Sequence, residues 1–196
     1  MDTRSSPADK RTEIRLAGEG GQGMILAGII LAEAAAIYDG KQATQTQSYG
    51  PEARGGASRS EVVISEGEID HPEVLSADVV VALSQEAYKK FAKTVQAGGL
   101  LIVDADRVET SADFNGIKIP IARLAQETTG KAITANTVAL GVLVGLTNVV
   151  SRAAIEKAVT ARAPKGTEEI NRKALQAGFA AAEQVHYPMV MSLKND

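Results

Sequence analysis

Three features of this sequence predict an α/β fold: a Rossmann-like, open, mostly parallel sheet with helices on both faces and a β-hairpin insertion. A polar and apolar alternation at residues 12–17 (TEIRLA) runs into a glycine-rich turn, and the turn runs into a helical stretch at 24–38 (MILAGIILAEAAAIY). Two apolar, β-branched runs, DVVVAL at 78–83 and LLIV at 100–103, are separated by a helix-length segment, as parallel strands buried on both faces require. A helical C-terminal third then supplies cover for the sheet.

After the first helix, Asp39-Gly40 marks a turn, and residues 42–47 (QATQTQ) read as a second strand too polar for the centre of a sheet. The insertion follows: a polar glycine-rich segment, the strand EVVI at 61–64, a turn at Glu66-Gly67, and a return toward His71-Pro72 that would close a hairpin. A helix is expected over 85–96, with Gly98-Gly99 as its stop. Residues 117–121 (IKIPI) read as a strand near an edge, because Pro120 cannot donate to a ladder. Three helices, over about 136–146, 151–161 and 167–186, complete the chain; Ser151 is the expected N-cap of the second, and Glu168 and Glu169 place carboxylates in the first turn of the third. The domain reading is a disordered tail over 1–11 and a single domain over 12–196.

Composition narrows the function. With 196 residues and 44% hydrophobic content the chain can bury a substantial core, while a formal charge of -3 gives no general attraction to nucleic acid or to an anionic membrane. The absence of cysteine removes disulfides, a thiol nucleophile, Cys-ligated zinc and any iron–sulfur cluster held by this chain alone. The opening MDTRSSPADKR lacks the apolar core of a signal peptide, and the longest apolar run, VALGVLVGL at 138–146, is too short to span a bilayer; cytoplasmic residence without membrane contact is the expectation.

The stretch LAGEGGQGMILAG carries the chemistry question. Its Gly18-x-Gly20-x-x-Gly23 spacing, between a strand and a helix, matches the dinucleotide fingerprint, and N–H groups at such a helix start can receive an anion. The acid that would bind a ribose roughly 20 residues on is missing, since that region reads TQTQ, and Glu19 puts a negative charge into the loop. No P-loop lysine follows Gly23. The glycines therefore serve tight packing alone, a different anion, a partner's backbone, or a dinucleotide against the odds.

The second dense segment, TQSYGPEARGGASRS, offers Arg54 as a bidentate fork for carboxylate or phosphate, with Glu52 as a local partner, and Gly55-Gly56 as backbone another surface can approach. Read locally, it is equally an exposed loop with an internal ion pair. Taken together, GEGGQG followed by QSYGPEARGG, DVVVALSQEAYKKF, GGLLIVDAD and ANTVALG resembles the gamma subunit of 2-oxoacid:ferredoxin oxidoreductases, most of all the 2-oxoglutarate type, with the pyruvate and branched-chain types close behind. The related indolepyruvate oxidoreductase beta subunit shares the GGQG loop but usually differs where this chain has YGPEARGG. A stand-alone Rossmann-like nucleotide-binding module is the alternative from another class.

The resemblance implies a multisubunit enzyme that converts a 2-oxoacid to acyl-CoA and reduces ferredoxin. Thiamine diphosphate with Mg and the iron–sulfur clusters would lie in alpha, beta or delta chains, and CoA would bind on or with other subunits. This chain would hold no cofactor alone, carry no catalytic residue and no metal, be inactive in isolation, and be able to self-associate there. Gly20, Gly21, Gln22, Gly23 and Arg54 are the residues expected to touch CoA or a neighbouring subunit, with the two glycine segments together at the carboxyl edge of the sheet. His71 and His186 read as structural, Asp104 and Asp106 as turn or cap residues more than acids at work, Asn136 as a helix cap before a contact to a neighbouring subunit, Ser84 as no hydrolase nucleophile, and Arg162 and Lys165 as a solvated basic turn.

Overall fold

The computed structural model describes residues 11–48 and 57–185. Six strands form one sheet: β1 (Arg11–Glu19), β2 (Gln42–Ser48), β3 (Ala57–Ser65), β4 (Ala77–Ala82), β5 (Val95–Asp104) and β6 (Ile117–Ile119), in the order β2-β3-β1-β4-β5-β6. From β1 through β4 and β5 to β6 every pairing is parallel, whereas β3 runs antiparallel to both β1 and β2. The expected class is therefore present, but the hairpin is made by β2 and β3. The stretch after Glu66-Gly67 forms no strand.

Among the described residues six α-helices cover the sheet unequally: α1 (Met24–Glu33), α2 (Gln85–Phe91), α3 (Ile121–Thr129), α4 (Ala135–Thr147), α5 (Arg152–Arg162) and α6 (Glu168–Glu183). Ile14, Leu16, Val79, Val81 and Ile102 on one face pack under α1 and α4, with α3, α5 and α6 joining the same core. Val63, Val80, Leu101 and Val103 on the other face meet Phe91 of α2. The period-2 alternation of DVVVAL thus feeds two cores at once.

Several boundaries differ from expectation for local physical reasons. The first helix widens at Ala34–Tyr38 into a π-helical turn, with the Asp39 N–H bonded to the Ala34 carbonyl at 3.1 Å. The segment ending α2 tightens into a 3₁₀ turn at Ala92–Thr94, so Gly98-Gly99 lies inside β5 rather than after a helix; Gly98 takes φ +83° where the ladder with β4 shifts register between Ala77 and Val79. The strand at IKIPI stops at Ile119, and Pro120 opens α3, a helix the sequence pattern did not announce. Ser151 caps α5 as expected, its Oγ accepting the Ala154 N–H at 3.1 Å.

α4 is buried along nearly its whole length and crosses α6 where Gly141 meets Gly178. A Cβ on Gly178 would lie 2.2 Å from the Val138 carbonyl oxygen, so the two backbones touch with no room for a side chain.

At the opposite end of the sheet Asp78 accepts the Glu13 N–H at 2.6 Å and a bond from the Gln96 amide. Burial raises its pKa above 3.8; the Glu13 N–H opposes the rise and the Glu13 charge adds to it. Between the unfolded and the raised folded value the native state holds the proton more tightly, so this group's contribution falls as pH rises through that window. The stability difference between Asp78→Asn and the parent is expected to move in the variant's favour as pH rises from about 4 and to become constant above the window. Urea midpoints across that range check it; a pH-independent difference would count against the assignment.

Candidate functional site

The glycine loop leaves the carboxyl end of β1 at Glu19 and enters α1 at Met24. Two of its residues are in the left-handed region that favours glycine, Gly21 at φ +91° and Gly23 at φ +74°. Gln22 closes the turn: its N–H donates to the Glu19 carbonyl at 3.1 Å, its Oε1 accepts the Glu19 N–H at 2.7 Å, and its Nε2 donates to the Leu83 carbonyl just past β4 at 3.2 Å. Gly18 makes room for this clamp, since a Cβ there would lie 2.4 Å from Gln22 Oε1. One end of the Gln22 amide therefore closes the loop on itself and the other fastens it to the end of β4.

From the other side Asn136, the second residue of α4, donates from Nδ2 to the Gly23 carbonyl at 3.3 Å. Thr134 occupies the N-cap position of α4, so Asn136 reaches the loop instead of capping the helix. The N–H groups of Gly20, Gly21 and Gly23 have no acceptor among the described residues, and Gly20 and Gly21 are exposed. Such N–H groups at a helix start attract an anion.

Two recesses flank the loop and share Gly21 and Ile133. One, of about 210 Å³, is bounded by Gly21, Gln22, Leu83, Asp104 and Arg107 at the carboxyl ends of β1, β4 and β5. The other, of about 280 Å³, is bounded by Gly21, Gly23, Leu26, Lys131, Asn136, Thr167 and Asn171. Leu26 and Ile133 are 40% and 74% exposed on its rim, an apolar surface beside a polar floor. Open α/β sheets place their ligand crevices at this edge.

Arg107 and Lys131 are exposed and have no acidic partner among the described residues, which puts a cation at each recess. Neither was singled out from sequence. The signal available for Arg107 was its place three residues beyond the strand LLIVD.

Asp104 is wholly buried, with Oδ1 accepting the Asp106 N–H at 3.0 Å and Oδ2 the Ala122 N–H at 2.8 Å, so it ties the β5 turn to the start of α3. Asp106 pairs with Arg123 at 3.2 Å. Ser84 caps α2 by accepting the Ala87 N–H at 3.2 Å. Arg162 is exposed as expected but ends α5 instead of lying in a turn, and it is a bidentate partner of Glu33, linking α5 to α1. The His71 carbonyl accepts from Arg11 at 2.9 Å; His186 lies outside the described residues. No cluster of His, Asp and Glu suited to a metal exists among the described residues, and no helix among them is long and apolar enough to cross a membrane.

Arg54 and the YGPEARGG segment, residues 49–56, also lie outside the described residues. The strands that bracket the segment end at this edge: Ala57 is paired with Glu19, and Ser48 with Arg59.

On the second sheet face sits a buried ion pair, Arg15 to Glu61 at 2.6 Å, facing each other across β1 and β3 beneath Phe91. Arg15 also donates to the Val74 carbonyl at 3.1 Å and to Thr94, so it fastens the loop before β4 and the end of α2 to the sheet. Removing either partner would strand a buried charge.

A mostly parallel sheet with an anion-competent glycine turn and a cation at each flanking recess defines a Rossmann-like domain with a binding edge. Residues 13–181 match the family of pyruvate ferredoxin/flavodoxin oxidoreductases, and the chain belongs to that family, as a gamma subunit of the 2-oxoacid:ferredoxin oxidoreductases. It is 52% identical over 179 residues to the 2-oxoglutarate synthase subunit KorC of Methanocaldococcus jannaschii, covering 89% of this chain and 96% of the relative. The crystal structure of the keto/oxoacid ferredoxin oxidoreductase gamma subunit from Geobacter sulfurreducens PCA is similar with a TM-score of 0.81 at 51% identity, over 89% of this chain and 97% of that one. The 2-oxoglutarate:ferredoxin oxidoreductase of Magnetococcus marinus, solved with 2-oxoglutarate, coenzyme A and succinyl-CoA bound, is also similar at TM-score 0.81 and 26% identity, over 91% of this chain and 32% of that much longer one.

Proposed function

We propose that this chain serves a 2-oxoglutarate-type enzyme, in the cytoplasm, as a subunit that carries no catalytic residue and helps bind CoA. The observation that carries the substrate assignment is the 52% identity to a 2-oxoglutarate synthase subunit across nearly the full length of both chains. Alpha and beta chains, with a delta chain where one exists, are the partners. They hold thiamine diphosphate with Mg and the iron–sulfur clusters, whose thiolate ligands this cysteine-free chain cannot supply, and ferredoxin meets the complex through them.

CoA, when bound, supplies the thiol that accepts the acyl group. The residues present suit its phosphates: the exposed glycine turn stands between two recesses, with Arg107 at one and Gly23 and Lys131 at the other, and Arg54 belongs to the segment whose flanking strands meet at the same edge. Gln22 holds the loop in shape through its two side-chain bonds.

Purifying the native complex and assaying ferredoxin reduction with CoA and 2-oxoglutarate, pyruvate or 3-methyl-2-oxobutanoate tests the assignment. Cysteine-rich and thiamine-diphosphate-bearing chains are expected alongside, with 2-oxoglutarate preferred. A preference for another oxoacid refutes the substrate, and isolation without partners refutes the subunit reading. Arg54→Ala is expected to lower complex assembly or acyl transfer to CoA about tenfold, the loss of one charge-assisted contact, while the domain stays folded. Unchanged turnover and assembly would remove Arg54 from the site.

A further inference from the structure

We infer that Asn136 is the positioning residue of the glycine loop, holding Gly23 and the N–H groups around it in the geometry that receives the phosphates of CoA; this rests on the reading of the crevice given above. Asn136 is only 7% exposed and lies against the loop so closely that a Cβ on Gly23 would stand 2.6 Å from its Nδ2. The orientation of its amide is determined by its neighbours. Oδ1 accepts the Thr137 N–H at 2.9 Å, which turns Nδ2 toward the Gly23 carbonyl.

Behind Asn136 the bonding continues. The Thr137 hydroxyl donates to Asn171 Oδ1 at 3.1 Å, the Asn171 amide donates to Thr167 Oγ1 at 3.2 Å, and the Thr167 hydroxyl donates to the Pro164 carbonyl at 2.7 Å. An uncharged chain of amides and hydroxyls therefore joins the loop to α4, α6 and the turn between α5 and α6. Gly23, Asn136, Asn171, Thr167 and Pro164 also bound the larger recess. The Gly23 carbonyl additionally accepts the Ala27 N–H at 2.9 Å, so one oxygen ties the start of α1 to both its own first turn and α4.

Because Gly21 and Gly23 hold left-handed conformations, the loop gains no rigidity from side chains at those positions. Its shape depends on two external clamps, Gln22 on the β4 side and Asn136 on the α4 side. Misplacing N–H donors by a fraction of an ångström weakens anion binding without touching the reaction centre.

The test uses the assembled enzyme. Asn136→Asp has the same shape but sets an oxygen against the Gly23 carbonyl; Asn136→Ser removes the amide, its hydroxyl being too short to take over that bond, and introduces no buried charge. Both are expected to raise KM for CoA about tenfold, with kcat and KM for the 2-oxoacid changed less than about twofold. If Gly21→Ala or Arg107→Ala raises KM for CoA and neither Asn136 variant does, the positioning role is refuted and the crevice reading stands. If none of the four variants changes KM for CoA, the crevice reading falls and takes the inference with it. Loss of assembly in both Asn136 variants, or a parallel loss of kcat and both KM values, would assign Asn136 to stability alone.

Discussion

Gly178→Ala is expected to destabilise the domain by about 3 kcal/mol, at the upper end of what overpacking a core costs. The added methyl would lie 2.2 Å from the Val138 carbonyl oxygen, 2.8 Å from the Gly141 Cα and 2.8 Å from the Val142 nitrogen. All three are backbone atoms of a helix buried along its length, so no side chain can swing aside, and α4 and α6 must separate. That separation loosens the packing of Leu175 and Phe179 on α4 as well. A fall in melting temperature of about 6–12 °C is the expected reading for a chain of this size. Gly20→Ala, where the space is open and φ is not left-handed, is the matched control and is expected to leave the melting temperature nearly unchanged. A loss below about 1 kcal/mol for Gly178→Ala would mean that the two helices do not touch as described.

Arg107→Ala is expected to raise KM for CoA about thirtyfold in the assembled enzyme, the equivalent of about 2 kcal/mol for a charge-assisted phosphate contact. Arg107 follows β5 by three residues, has no acid to neutralise it among the described residues, and faces the same recess as Gly21 and Gln22. Its backbone is held by the turn at Asp104, whose carbonyl accepts the Arg107 N–H at 3.3 Å. That bond fixes the point on the main chain from which the guanidinium reaches the crevice. Arg107→Lys is expected to recover part of the loss, because a point charge replaces a planar fork. A KM unchanged in Arg107→Ala would remove this side chain from the site.

The parallel half of the sheet was legible because DVVVAL and LLIV must be buried on both faces, which only internal strands allow. The hairpin was assigned to the wrong pair of strands. QATQTQ is polar because β2 has one free edge, and its partnership with β3 depends on register across a separate connection, which no local pattern records. Gly98-Gly99 looked like a helix stop, yet Ala92–Thr94 had already ended the helix, and the positive φ of Gly98 serves a bulge. α3 escaped notice because it starts directly at Pro120; Gly130, left-handed at its end, was the signal to weigh.

At the site, the glycine turn could be read because its geometry is local to six residues. Arg107, Lys131 and the reach of Asn136 to Gly23 could not be, since each gains meaning only when the carboxyl ends of β1 and β5 and the start of α4 are brought to one place.

The position of β1 bears on how the chain is made. It leaves the ribosome before both of its neighbours, yet it lies inside the sheet, and those neighbours, β3 and β4, are completed only at Ser65 and Ala82. At roughly 5–20 residues per second, both flanks of a nine-residue strand stay open for several seconds of synthesis. Slow codons before β4 would lengthen that interval, and a holding chaperone would have its best opportunity there.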